Sequence, residues 1–200
     1  MSFYAKHKPS DFTPAPEGLH YSVCCDVVDL GIVKTSYQGQ EFLKEMVRLV
    51  WQSSDKMTTG PKAGKPYMIN RRYAASAHKK AALRIHCESW AGKAFTDEGF
   101  AAFDLERLIG KCCQIQIAHN VSGGETYANI MAIVPAPKGT PALKIDGYVR
   151  VKDRPGYVPP VNVVKAPAEA GGFDDVDHGD FPPIDEADAP LAIPEDDIPF

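Results

Sequence analysis

Residues 19–37 read LHYSVCCDVVDLGIVKTSY, and this stretch decides the fold class. Apolar side chains recur at every second position, at Tyr21, Val23, Cys25 and Val27. A period of two is typical of a β-strand that buries one face. Gly31 interrupts the pattern and predicts a bulge or bend. We therefore predict a long strand over 19–37 and look for its partners along the chain.

Four more segments have strand character, at 41–53, 67–74, 112–119 and 126–134. Between the third and fourth strands the apolar period becomes helical, with Ser76 as a plausible N-cap and Gly92 placed to end the helix. A second short helix is predicted over 105–109. Three strands, a helical insertion and two strands are the order of an OB-fold, a five-stranded Greek-key barrel with a helix between strands 3 and 4. An α+β sandwich also fits this order.

Charge and composition divide the chain into three parts. All 22 Lys and Arg precede residue 166, whereas 11 of the 26 acidic residues follow it, which leaves residues 1–165 with a net charge of +7. Pro, Ala, Gly and Asp dominate from Asp153 onward, a composition that predicts disorder. We predict an N-terminal arm over 1–18, an OB-fold domain over 19–152, in which 145–151 adds a short strand, and a disordered acidic tail over 153–200.

The sequence argues against an enzyme, a metal site and a membrane protein. It contains no HExxH, P-loop, GxSxG or GxGxxG pattern, and its five cysteines include no CxxC pair. We therefore expect no catalytic residues, metal or cofactor. An odd cysteine count without a signal peptide predicts a reduced, cytoplasmic protein, and no apolar run is long enough to span a bilayer.

Basic and aromatic residues are interleaved between residues 34 and 80. Such a mixture suits single-stranded nucleic acid, because cations track the phosphates and flat rings stack on unpaired bases. The candidate DNA-binding residues are Lys34, Tyr37, Lys44, Arg48, Trp51, Lys65, Tyr67, Arg71, Arg72, Tyr73 and Lys79. Trp51 shares strand parity with apolar residues and is as compatible with the core as with stacking; Tyr73 is similarly ambiguous. Arg71 and Arg72 point to opposite faces, so only one of them is expected to contact DNA.

The last six residues have the chemistry of a docking peptide: Glu195, Asp196, Asp197, Ile198, Pro199 and Phe200. Phe200 can fill a small apolar pocket while its carboxylate pairs with a basic group, and Pro199 restricts the backbone. This tip resembles the C-terminus of bacterial single-stranded DNA-binding proteins, a family in which it recruits replication, recombination and repair proteins. The larger helical insertion, over about 76–110, and the Pro/Ala/Asp-rich linker make the chain more similar to a phage-encoded member.

The resemblance and the basic body together predict a protein that coats single-stranded DNA without strong sequence preference and recruits partners through its tip. The alternative is an adaptor or decoy that uses the tip to engage host replication or repair factors without binding DNA. An RNA-binding OB module is a further rival. Self-association is common where DNA is coated, but the sequence leaves a monomer and a homo-oligomer equally open.

Overall fold

The computed structural model describes residues 14–37 and 40–160. Its strands are β1 (Gly18–Tyr37), β2 (Gln40–Lys56), β3 (Pro66–Ala74), β4 (Cys112–Ser122) and β5 (Glu125–Pro135). Helices α1 (Ala82–Ala91) and α2 (Asp97–Ala101) lie between β3 and β4, and single 3-10 turns occupy Leu105–Leu108 and Val151–Asp153. The prediction of a mainly β fold is confirmed, and each of the five main predicted strands is found within a few residues of its expected bounds.

All five strands form one antiparallel sheet in the order β3-β2-β1-β4-β5. The start of β1, Gly18 to Val23, pairs with β4, whereas Ser22 to Tyr37 pair with β2. Pairing of β2 with β3 begins only at Met46, so among the described residues the far ends of β1 and β2 continue alone as a two-stranded hairpin. The strands β3 and β5 are the outer members of this order.

Two irregularities interrupt β1 and decide which side chains reach the core. The register against β2 shifts between Cys24 and Asp26, so the adjacent residues Cys24 and Cys25 are both buried but belong to different clusters. A simple alternation with Cys25 on the core face is therefore wrong. The second shift lies between Asp29 and Gly31, where Gly31 has a φ of +67°. The bulge predicted at this glycine is confirmed, because a positive φ is accessible to glycine at little cost.

The core lies between one face of the sheet, called here the inner face, and helix α1. Leu49 and Trp51 of β2 pack there with Ile115 of β4 and Ile133 of β5, all at most 1% exposed. Trp90 of α1 meets Trp51 with ring centroids 6.1 Å apart. The opposite, outer face carries a smaller apolar cluster of Cys25, Val28 and Val50. Leu30 and Met68 pack against this cluster from the sheet, and Tyr148 and Val151 pack against it from the end of the described chain.

The helical segment follows the predicted pattern only in part. Helix α1 ends at Gly92, which adopts a left-handed φ of 65° as expected of a C-cap glycine. It begins after Ala81, so the prediction of Ser76 as N-cap is wrong; the Ser76 hydroxyl instead accepts a hydrogen bond from the His78 amide. The Asp104 side chain caps the 3-10 turn Leu105–Leu108, where a second short helix was predicted over 105–109. Helix α2, only five residues long, lies within the helical insertion predicted over about 76–110 but was not itself predicted.

Two segments without regular secondary structure pack against the sheet. Part of the predicted arm is held in place, because Ala15 is buried and its carbonyl accepts a hydrogen bond from His119 Nε2. After β5, residues 136–160 cross the outer face of β1 and β2, and we call this segment the strap. The strand predicted at 145–151 is absent from it, since the strap makes side-chain contacts without a backbone ladder. Packed chain thus continues past residue 152, and residues 161–200 lie outside the described part.

Candidate nucleic-acid interface

Arg48 and Arg72 lie opposite one another on the outer face, and we call them the arginine pair. The register pairs Arg48 of β2 with Arg72 of β3 and, on its other side, with Val28 of β1. Directly paired residues of antiparallel strands project to the same face, with Cα atoms about 4.5–5.5 Å apart. The two guanidinium groups therefore lie side by side on the outer face, Arg48 on β2 and Arg72 on β3, an outer member of the strand order.

The electrostatics of the arginine pair are unfavourable without an anion. Burial lowers the pKa of Arg48, the positive charge of Arg72 lowers it further, and Tyr148 partly offsets both effects. Within the described residues the buried Arg48 Nε has no hydrogen-bond acceptor, and no carboxylate forms an ion pair with either arginine. Like charges at paired positions of a sheet repel each other. A phosphate that accepts from both groups would remove this cost, because charge-assisted bonds to arginine are strong.

The remaining predicted cations are distributed around the molecule. Lys44 shares the outer face with Arg48 four residues away along β2, a separation of about 13 Å. Lys34 lies on the projecting hairpin and forms an ion pair with Glu41. Lys65 is exposed in the loop between β2 and β3. Lys79 lies beyond β3, where its amine approaches a carboxylate oxygen of Asp97 at 3.4 Å. Only Lys44 joins the arginine pair on one surface.

Three of the predicted stacking residues are in the core. Trp51, Tyr67 and Tyr73 are 0%, 8% and 2% exposed, and all three belong to the inner-face cluster. For Trp51 and Tyr73, the structure thus favours the core alternative over the stacking one. The Tyr67 ring, which was expected to contact DNA, also points into the core. Tyr67, Ile69 and Tyr73 occupy alternate positions of β3, and all three lie on the inner face. The Tyr37 side chain lies outside the described part of the structure.

Arg71 points to the inner face, opposite to Arg72, so the predicted divergence of these neighbours is confirmed. Its Nη1 donates a hydrogen bond of 2.5 Å to the carbonyl oxygen of Ile130, and its guanidinium carbon lies 5.4 Å from the centre of the Tyr73 ring. Arg71 therefore links β3 and β5, the first and last strands of the order, at the edge of the core. Arg72 is the member of the two that lies on the outer face beside Arg48.

The strap contributes residues that the candidate list did not contain. The Asp26 carboxylate, 1% exposed, accepts hydrogen bonds from the Tyr148 hydroxyl at 3.0 Å, Arg150 Nε at 3.1 Å and the Val151 amide at 2.7 Å. Burial and the Asp26 charge raise the pKa of Tyr148, so this phenol remains a neutral donor. A carboxylate with three donors is a strong anchor. It holds Tyr148 against Val28 and Val50, next to the arginine pair.

A pattern within the strap could have identified these residues. Tyr148, Arg150, Lys152 and Arg154 occupy alternate positions, which is an aromatic and basic run like the one that defined the first candidates. It was missed because Pro and Gly surround it and suggest unstructured chain. Among the described residues no group of three or more His, Cys, Asp or Glu side chains could hold a metal ion, and all five cysteines, which lie in this part, are free thiols.

The predicted docking tip lies outside the described residues. No helix of the described part is long and apolar enough to cross a membrane. No protein-family model matches the chain, and a search of curated proteins found no significant relative.

Proposed function

We propose that this chain is a non-enzymatic single-stranded DNA-binding protein of phage or bacterial replication, recombination and repair. The observation that carries the proposal is the arginine pair on the outer face of β2 and β3. Neither of these guanidinium groups has a carboxylate partner among the described residues. Two such groups at paired positions suit an extended polyanion, because consecutive phosphates can accept from both.

We propose further that the sheet is that of an OB-fold. The strand order β3-β2-β1-β4-β5 and the placement of α1 between β3 and β4 support this. The hydrogen bond from Arg71 to Ile130 brings together the two strands that would close the barrel. The outer face of strands 2 and 3 is where OB-folds bind oligonucleotides, and the arginine pair lies on this face.

Binding of this kind is expected to depend on salt and only weakly on sequence. Arginine contacts to phosphate position a strand without reading its bases. Lys62 and Lys65 are exposed in the loop between β2 and β3, where they add positive charge at one end of these two strands. The described residues thus favour a protein that covers single strands over one that recognises a particular site.

The test is a fluorescence-anisotropy titration of a labelled oligo-dT with the intact protein and with Arg48→Ala/Arg72→Ala. Loss of two charged hydrogen bonds should weaken binding by at least about tenfold. The slope of log K against log salt should become shallower by about 1.4, since each phosphate contact on a single strand contributes about 0.7.

The matched control is Lys93→Ala/Arg107→Ala, which removes two positive charges from exposed positions of the helical segment. It should leave affinity for oligo-dT nearly unchanged. If both double variants lose the same affinity for oligo-dT, the loss is due to net charge alone, and the arginine pair is rejected as the site. Absence of oligo-dT binding by the intact protein would favour the decoy alternative, and tighter binding of poly-U than of oligo-dT would favour an RNA-binding module.

The tip is the second part of the proposal: residues 195–200 recruit replication, recombination or repair proteins to the coated strand. Its support is the order of acids followed by Ile198-Pro199-Phe200. Removing these three residues should abolish capture of bacterial replication and repair proteins while DNA affinity stays within about twofold. Exchanging Ile198 and Phe200 keeps the composition and is expected to weaken capture as well, because the aromatic ring no longer follows Pro199. Capture that survives both changes would refute the docking role.

A further inference from the structure

The strap forms one side of the surface that contains the arginine pair. Tyr148 packs on the outer-face cluster, where Val28 is the cross-strand partner of Arg48 and Val50 follows Arg48 on the same face of β2. The aromatic ring therefore lies beside the guanidinium groups on the surface where a strand would pass. Trp51, Tyr67 and Tyr73, by contrast, are buried on the other face of the sheet.

Tyr148 and Arg154 form a cation–π contact, and each side chain also makes a hydrogen bond that positions it. The guanidinium carbon of Arg154 lies 5.5 Å from the centre of the Tyr148 ring, and Arg154 Nε donates a hydrogen bond of 3.1 Å to the Val149 carbonyl oxygen. The ring itself is held by its hydroxyl on Asp26. Arg154 is exposed, and no carboxylate of the described residues forms an ion pair with it. Its guanidinium is thus positioned by the protein and still open to solvent.

A guanidinium held over an aromatic ring is a suitable surface for a nucleobase. Arginine stacks on flat π systems through its own plane, and its charge adds a cation–π attraction. Unpaired bases stack on aromatic rings and on arginine planes without regard to their identity. We infer, resting on the proposed function, that Arg154 and Tyr148 form a stacking site for a base of the strand whose phosphates bind the arginine pair.

Arg154→Lys tests this inference, because it retains the charge and removes the plane. Its affinity should be compared on oligo-dT and on an oligonucleotide of the same length built from abasic sites. Stacking of one base is worth about 1–3 kcal/mol, so binding of oligo-dT should weaken by about fivefold or more. Binding of the abasic strand should change less than twofold, since phosphate attraction is unaltered.

Two further measurements separate stacking from a change in the strap. Tyr148→Phe keeps the ring and loses only the hydroxyl on Asp26, so it should retain oligo-dT affinity better than Tyr148→Leu does. In the unaltered protein, irradiation of an oligonucleotide containing 5-bromouracil should cross-link the base to Tyr148, which trypsin releases in the peptide of residues 145–150.

The outcomes also distinguish this inference from the proposed function. Equal losses on oligo-dT and abasic strands for Arg154→Lys, or cross-links only to peptides outside the strap, would overturn the stacking site. If oligo-dT binding still depends on the arginine pair in that case, the proposed function stands without it. If the arginine pair is also dispensable, both fail.

Discussion

The Tyr148 hydroxyl donates a hydrogen bond of 3.0 Å to the carboxylate of Asp26, a residue 122 positions earlier in the chain. The same carboxylate accepts from Arg150 Nε and from the Val151 amide. A buried carboxylate satisfied by three donors ties the strap to the bulge of β1. Its geometry fixes both the position of Tyr148 and the edge of the surface that carries the arginine pair.

Asp26→Asn should therefore loosen the strap and destabilise the protein. The amide cannot accept from all three donors, and one of its own protons faces a donor, so we expect a loss of about 2–3 kcal/mol in the free energy of unfolding. Urea denaturation measures the loss, and hydrogen exchange should show faster exchange of the Val151 amide. Asp146→Asn is the control, because Asp146 is exposed and contacts Gln52 through backbone atoms alone. Equal effects of the two substitutions would contradict the role of Asp26.

Because Trp51 is buried, we expect its substitution to change the stability of the protein but not its affinity for DNA. Trp51→Phe should cost about 1–2 kcal/mol, because it leaves a small cavity beside Trp90 but also removes a buried indole Nε1 that has no acceptor among the described residues. Affinity for oligo-dT should stay within about twofold of the unaltered protein. The measurements are thermal or urea unfolding and the anisotropy titration. A tenfold loss of affinity with little loss of stability would mean that Trp51 reaches the DNA after all.

The sequence predicted the sheet well because its information is local. The strand β1, the glycine bulge at Gly31 and the cap at Gly92 each depend on a few neighbouring residues, and all three are found, although the bulge at Cys24 and Asp26 breaks the alternation that predicted β1. It was harder to predict which face of the sheet each aromatic side chain occupies. The position of Trp51 in the alternation is the same whether its ring packs against α1 or stacks on a base. The path of the strap across the sheet could not be predicted. Gln52 and Asp146, for example, are 94 positions apart in the sequence, and only three-dimensional packing brings them into contact.

His86 should make stability depend on pH below neutrality. Burial lowers its pKa to about 4, and the nearby Arg71 charge contributes. The unfolded chain has a histidine pKa near 6.5. Between these values the unfolded state binds one more proton, so stability is retained above about pH 6.5 and falls as the pH drops, by about 1.4 kcal/mol per unit from this group. Urea unfolding of His86→Gln between pH 6.5 and 4 should show a shallower decline by this amount.

The glutamine in that variant can still bond to the Tyr73 hydroxyl, which lies 2.8 Å from His86 Nδ1. The control is Tyr73→Phe, which removes the hydrogen bond but leaves the histidine in place. It should be less stable at every pH and keep the steep decline. If the unaltered protein and His86→Gln lose stability in parallel as the pH falls, His86 is not the source of the dependence.

Gly31 links the bulge of β1 to the last described residue of the strap. A Cβ added to Gly31 would lie 2.9 Å from Pro160 Cβ, closer than two carbon atoms can approach, and its φ of +67° is strained for any other residue. Gly31→Ala should therefore suffer both strain, about 1–2 kcal/mol, and displacement of Pro160. Gly64→Ala is the matched control, because Gly64 also has a positive φ, of +82°, but nothing within 4 Å of the added atom. Urea unfolding should give a larger loss for Gly31→Ala, and Pro160→Gly should reduce that loss to the value of the control. If the loss is the same with and without the proline ring, the strap does not rest on β1 at this point.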